Sequence, residues 1–312
     1  MTNYKCSACK SRSNLIGKLE SFAIIECPNC SLQEIHNKPL INTLSKIYED
    51  RLLKKWSKIN LEKVYKVFNN SRNNPKLDLF KRDVFYVQKR FNLDKINILE
   101  FGCGQGVLVN WSNLMGHNAT GIESGFNMAK FLNQYKNTKV EFVENSKSLN
   151  SSENKFHLIY AEHSIEHVND IESTIIKFNK IMMKNGFLSI RVPNHNCKKS
   201  KKEGIKWVNY SPPHHLYFFS RRSLSNILIN NGFSVIKTEE KAFFASGIWV
   251  FHTIDKFINK FIRITNRLTG LKISQLTQKN SYPRTLLDVI RLVPYFITPN
   301  TDEELYILAR KN

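Results

Sequence analysis

The sequence predicts an α/β fold with a largely parallel central sheet, preceded by a small metal-stapled module. Three observations predict it. First, a short apolar run (Ile96, Ile98, Leu99, Phe101) breaks into Gly102-x-Gly104-x-Gly106 and continues as the helix-like "VLVNWSNLMGH". A strand, a glycine loop and a helix in that order let backbone approach a nucleotide cofactor closely. Second, the next strand-like run, "ATGIES", ends in Glu123, about twenty residues on, where a carboxylate can grip ribose hydroxyls. Third, four of the six cysteines stand in "CSAC" (6–9) and "CPNC" (27–30).

The cysteines come first in the chain. Their spacing, C-x2-C-x17-C-x2-C, is a zinc-site pattern, and two such knuckles can bring four thiolates to one tetrahedral ion. The intervening "LIGKLESFAIIE" reads as a short hairpin. A segment of this size has no adequate core, so bound metal would supply much of its folding free energy, roughly 10–16 kcal/mol. Cys6, Cys9, Cys27 and Cys30 fill every coordination position, which makes the expected zinc structural. Cys103 and Cys197 lie outside the pattern. Residues 1–39 are therefore read as a zinc ribbon. Residues 40–75 are read as a helical linker containing "LSKIYEDRLLKKW" and "LEKVYKVF" and ending in the turn-rich "NNSRNNP". Residues 76–312 form the large domain, opened by the amphipathic "KLDLFKRDVFYVQKRF".

The chain has 312 residues, 41% hydrophobic and 23% charged, as expected of a globular protein with a sizeable core. Its longest apolar run, "AFFASGIWVF" (242–251), is far too short to span a bilayer, and "MTNYKCSACK" has no signal core. A cytoplasmic location is expected, with peripheral contact to the inner membrane face left open. The formal charge of +21 suits nucleic acid, an anionic membrane or an anionic substrate, but equally reflects a composition crowded with Lys, Asn and Ile.

The glycine spacing separates two cofactor classes. A dinucleotide fingerprint is G-x-G-x-x-G; here it is G-x-G-x-G with Glu100 before it. A carboxylate there repels a pyrophosphate and suits a cationic ligand carrying an amine and a sulfonium. "LEFGCGQG" (99–106) resembles the first motif of the class I S-adenosylmethionine-dependent methyltransferases. The resemblance continues through "VEFVEN" (140–145), "FHLIYAEHSIEHV" (156–168), "FLSIRVPN" (187–194), "HHLYFFSRRSLSNILINNGFSVIK" (214–237) and "DEELYILARK" (302–311). It implies a Rossmann-like seven-stranded sheet in the order 3-2-1-4-5-7-6, with the last strand antiparallel. Many members of this small-molecule branch carry an N-terminal ribbon. The resemblance also implies S-adenosylmethionine as cofactor, held by Glu100, Gly102, Cys103, Gly104, Gly106, Glu123, Asn145 and Glu162. Two positions depart from the family pattern: Asn145 stands where an acidic residue often faces the adenine, and His157 replaces the aspartate that often opens the fourth strand.

"HSIEHV" (163–168) matches a zinc-protease string, His-x-x-Glu-His. It follows a buried strand and breaks at "VND", whereas a protease would need a long helix through the motif. Three readings stay open. Glu166 and His167, with His215, form a catalytic group in which an imidazole orients or deprotonates the acceptor. Alternatively His163, Glu166, His167 and His215 hold a second, divalent metal, as the resemblance also implies. Or the histidines only cap and pack the turn. The basic "HNCKKSKKEGIKWVNY" (195–210) is long enough for a lid, and Trp207, Tyr210 and His215 are candidates for a substrate wall. "DIESTIIKFNKIMMKNG" (170–186) reads as helix.

Residues 241–300 form an insert. Within 254–268, Ile254, Phe257, Ile258, Phe261 and Leu268 share one helical face, opposite Lys256, Lys260, Arg263 and Arg267. Such a helix either lies on an anionic membrane or buries its stripe against protein. The expected activity is methyl transfer to a small-molecule acceptor, a hydroxyl of a sugar, lipid-linked glycan or secondary metabolite. The rivals are an RNA methyltransferase using the basic surface and the ribbon, and a non-catalytic protein that retains the cofactor fold.

Overall fold

The computed structural model describes residues 4–39, 59–70, 75–144, 149, 155–241 and 302–312. Asn145, the first linker helix and the amphipathic stretch 254–268 lie outside the described residues. Met1–Lys241 and Asp302–Asn312 form one compact unit.

The large sheet contains β5 (Asn97–Phe101), β6 (Asn118–Glu123), β7 (Val140–Phe142), β8 (Phe156–Glu162), β9 (Met182–Pro193), β11 (Phe233–Lys241) and β12 (Glu304–Lys311). Its order is β7-β6-β5-β8-β9-β12-β11. Counted along the chain this is the expected 3-2-1-4-5-7-6, and β12 runs antiparallel to both its neighbours. β8 is buried along all seven residues, as a central strand covered on both faces must be. That burial explains why "FHLIYAE" does not alternate. The order reverses between β6, β5 and β8, and open α/β sheets bind ligands at the carboxyl ends of strands beside such a point.

The covering helices follow local signals. The helix Ile171–Ile181 starts where the Asp170 side chain accepts a hydrogen bond from the Ser173 amide (3.0 Å). The helix Arg221–Asn230 starts with a capping box between Ser220 and Ser223. The helix expected over 170–186 stops at Ile181: Met182 is fully buried and pairs with Phe156, so β9 begins there instead. Packing against β8 overrides the helical propensity of "MMK".

The second sheet contains β1 (Tyr4–Lys5), β2 (Arg12–Leu19), β3 (Phe22–Glu26), β4 (Gln33–Ile35) and β10 (Tyr217–Phe218), in that order. The ribbon's sheet thus takes its last strand from the large domain, and Cys6, Cys27, Cys30 and Leu32 share one apolar core with Ile165, Leu216, Tyr217 and Phe219. In the stretch read as a linker, the helix Leu61–Asn70 packs on the helix Val107–Leu114. Tyr65 Oη donates to the Gln105 carbonyl (2.8 Å), and Asn69 Nδ2 to Asn110 Oδ1 (3.1 Å). Its described part therefore braces the glycine loop. Among the described residues no helix is long and apolar enough to cross a membrane.

Candidate functional site

The glycine loop leaves β5 with Gly102, Gly104 and Gly106 at φ values of 72°, 55° and 65°, a region that side chains with a Cβ rarely adopt. A Cβ on Gly102 would stand 2.6 Å from Ser164 Cβ, so the loop passes directly over the turn that follows β8. Glu123, at the end of β6, accepts hydrogen bonds from the Gly104 amide (3.2 Å) and the Ser124 amide (3.0 Å). Burial pushes its carboxyl above the usual range against the pull of these amides. Glu100 is buried at the carboxyl edge of β5. The carboxyl edge of the sheet therefore carries three glycines at positive φ and a carboxylate at the end of the neighbouring strand, with a second carboxylate at the loop entrance.

Two sequence candidates have other engagements. The Cys103 side chain packs on β6, where a Cβ on Gly121 would lie 2.7 Å from its Sγ, so Cys103 serves the loop through its backbone. Glu162 forms a buried ion pair with Arg191, 2.6 Å away.

A single 3-10 turn, Ile165–His167, follows β8. Glu166 is 1% exposed, and its carboxylate meets imidazole nitrogens at ion-pair distances. Three imidazoles face it. His163 Nδ1 lies 3.4 Å from Glu166 Oε1, and His163 Nε2 lies 3.3 Å from Glu304 Oε1. Desolvation works against a charge on His163, but the bonds to Glu166 and Glu304 outweigh it and raise its pKa to about 10. Both nitrogens of His163 face carboxylates, and the ligand atoms that cluster are those of Glu166, His167 and His215. The backbone φ of His163 is 47°.

His167 Nδ1 donates to the His214 carbonyl (2.7 Å), and His215 Nδ1 to the Asn209 carbonyl (2.8 Å). These bonds orient both rings with Nδ1 as the donor. The rings are 4.9 Å apart, and His167 Nε2 is 4.0 Å from Glu166 Oε1. Burial, only partly offset by Glu166, lowers the His215 pKa to about 4, so its imidazole is neutral near pH 7. Glu166 is held ionised, at about 2: burial alone would raise it, but His163 and the neighbouring histidines prevail. One ligand atom each from Glu166, His167 and His215 lies within 4.8 Å of the others.

The "KKSKKEG" run forms the helix Lys198–Glu203 and a 3-10 turn rather than an open loop. Trp207 is 1% exposed and packs edge-on against Tyr210, which in turn packs on Phe218 and bonds Gln33. This corrects the expectation of a substrate wall at Trp207, whose bulk fills the seam between ribbon and large domain. Arg191 and Glu304 were not singled out in the sequence; Arg191 showed only as a charge inside the apolar "FLSIRVP".

The four knuckle cysteines converge. Cys6 and Cys30 Sγ are 3.6 Å apart, and Cys9 and Cys27 Sγ 3.4 Å, with all four thiols free of disulfides. The two knuckles match in backbone: the Lys10 amide bonds the Cys6 carbonyl and the Ser31 amide the Cys27 carbonyl, with φ of 61° and 62° at Lys10 and Ser31. Paired knuckles around four thiols have the donor set of a closed tetrahedral zinc site.

The model of a methyltransferase domain family matches residues 76–238. Two curated relatives, each named as a ubiquinone biosynthesis O-methyltransferase, are similar over part of their length. The Pelagibacter ubique protein is 30% identical over 109 residues, 34% of this chain and 45% of that one. The Bartonella tribocorum protein is 23% identical over 153 residues, 46% and 62% respectively. The chain thus spans about half the length of these relatives. A solved methyltransferase from Archaeoglobus fulgidus, described as S-adenosylmethionine-dependent, has a TM-score of 0.48 at 17% identity, covering 77% of this chain and 96% of that chain.

Proposed function

The chain belongs to the methyltransferase domain family, and on that premise we propose that it transfers a methyl group from S-adenosylmethionine to a hydroxyl of a small-molecule acceptor. The observation that carries this reading is the loop at the strand-order reversal, where three glycines have positive φ and the Gly104 amide meets the Glu123 carboxylate. The bound donor supplies a sulfonium-activated methyl group. Gly102, Gly104 and Gly106 would let backbone reach its amino-acid end, Glu100 would face its ammonium, and Glu123 would exchange its amide bonds for the ribose diol. Glu162 would act indirectly, through Arg191. Asn145 is proposed for the adenine side on sequence grounds alone.

For the acceptor side, His215 Nε2 is a neutral acceptor, and the His167 ring lies 4.9 Å from the His215 ring. We assign one of them to take the hydroxyl proton as the oxygen attacks the methyl carbon in line with the departing thioether sulfur. Alignment of this kind contributes roughly 7–11 kcal/mol in well-oriented systems. The name of the curated relatives supports an oxygen acceptor; a sugar, lipid-linked glycan or quinol hydroxyl fits it.

A second reading of the acceptor side has its own support. The buried, ionised Glu166, with one ligand atom each from it, His167 and His215 within 4.8 Å of one another, forms a suitable donor set for a divalent cation. Such a cation would bind the acceptor hydroxyl and lower its pKa. A labelled-methyl screen over nucleotide sugars, lipid-linked glycans, quinols and RNA tests the main reading, and repeating it after chelation and readdition of Mg2+, Mn2+ or Zn2+ tests the second. Methylation of RNA alone would overturn the small-molecule assignment. The four thiols are proposed to hold a structural zinc.

A further inference from the structure

We propose that the N-terminal ribbon is the positioning element of the acceptor side, acting on the Glu-His turn through a continuous backbone ladder while leaving the cofactor side alone. This rests on the function proposed above for His167 and His215. The ladder begins at the second knuckle, where the Cys27 amide bonds the Leu32 carbonyl (2.9 Å). β4 follows at once and pairs with β10, Glu34 opposite Tyr217 and Gln33 opposite Phe218. The Ile35 amide donates to the Leu216 carbonyl (3.0 Å), and the Leu216 amide donates to the Glu166 carbonyl (2.8 Å). Two hydrogen bonds thus separate the ribbon from the turn carrying Glu166 and His167, and His215 sits immediately before the shared residue.

Side chains repeat the connection. His195 Nε2 bonds the Ser31 carbonyl of the knuckle (3.1 Å), and Arg222 donates to the Asn29 carbonyl (2.8 Å). The buried Glu34 carboxylate accepts the Ser7 amide of the first knuckle (2.7 Å) and pairs with Lys38, whose ammonium lies 3.8 Å from the Tyr217 ring centre. Tyr217 Oη closes the circuit by donating to the Asn169 carbonyl (2.9 Å), just past the turn. The glycine loop touches the turn at Ser164, but its hydrogen bonds run to Tyr65, Ile122 and Glu123, none of which belongs to the ribbon. Local opening energies differ across a fold in units of this kind, so the two sides can be uncoupled.

Hydrogen exchange on the full chain tests this, with and without chelation of the four-thiol site and with metal content measured. On metal removal, amides in 214–218 should exchange roughly tenfold faster or more, while 97–106 keeps its protection and S-adenosylmethionine binding is retained. Ile35→Pro deletes the first rung's donor; it should reproduce the loss at 214–218 with metal still bound. Unchanged exchange at 214–218 in both cases would overturn the proposal. So would equal loss at 97–106, which would make the ribbon a folding element for the whole domain. Failure of the intact protein to bind S-adenosylmethionine would instead count against the proposed function, leaving the exchange result to be read by itself.

Discussion

Arg191 NH1 and the Glu162 carboxylate meet at 2.6 Å between β9 and β8, with 1% and 6% of their side chains exposed. A charge pair at this depth gains little net stability, but removing one partner strands the other in a low-dielectric interior. Arg191→Met should therefore cost about 3–5 kcal/mol. Chemical denaturation checks this, and a loss below about 1 kcal/mol would mean that the pair is solvated in practice.

Gly104→Arg puts a long side chain at φ 55° in the middle of the loop. Cofactor binding should vanish while metal content stays at the wild-type level, because the four thiols come from residues 6–30 and none from the loop. Calorimetry with S-adenosylhomocysteine and metal analysis on one preparation read both quantities.

His215→Ala removes a neutral imidazole and should lower the methyl-transfer rate by roughly 10²–10⁴-fold with cofactor affinity preserved. Glu166→Gln separates the two acceptor-side readings. A divalent cation held there loses its anionic ligand, so activity should become dependent on high added metal. If His167 or His215 is simply the base, added metal should restore nothing.

Loss of the four-thiol metal should lower the melting temperature, since the ribbon hairpin has few buried side chains apart from Ile24, Ile25, Ile35 and the cysteines. Cys9→Ser, at the least buried of the four thiols, is the mildest test; a melting curve identical to wild type would show that the site holds no stabilising ion.

Much of the fold was legible because its signals are local. The glycine triplet, the alternation of strands and helices, and the paired knuckles each rest on short-range chemistry, and the sheet order follows from them. What the sequence withheld was set by distance. Arg191 and Glu162 are 29 residues apart, and Glu304 reaches His163 from the final strand. Nothing near His163 signals that Glu304 will occupy its second nitrogen. Tyr217–Phe218 is too short to register as a strand until β4 lies beside it, and Trp207 was indistinguishable from a surface aromatic without the ribbon packed over it.

The most direct test is titration of the intact chain with S-adenosylmethionine, alongside Glu123→Ala. Saturable one-to-one binding by the intact chain, weakened by roughly 2 kcal/mol or more in the variant, is the expected result, since hydrogen bonds to charged groups contribute about 1.5–3 kcal/mol each. Absence of binding by the intact chain, or undiminished affinity in the variant, would contradict the account.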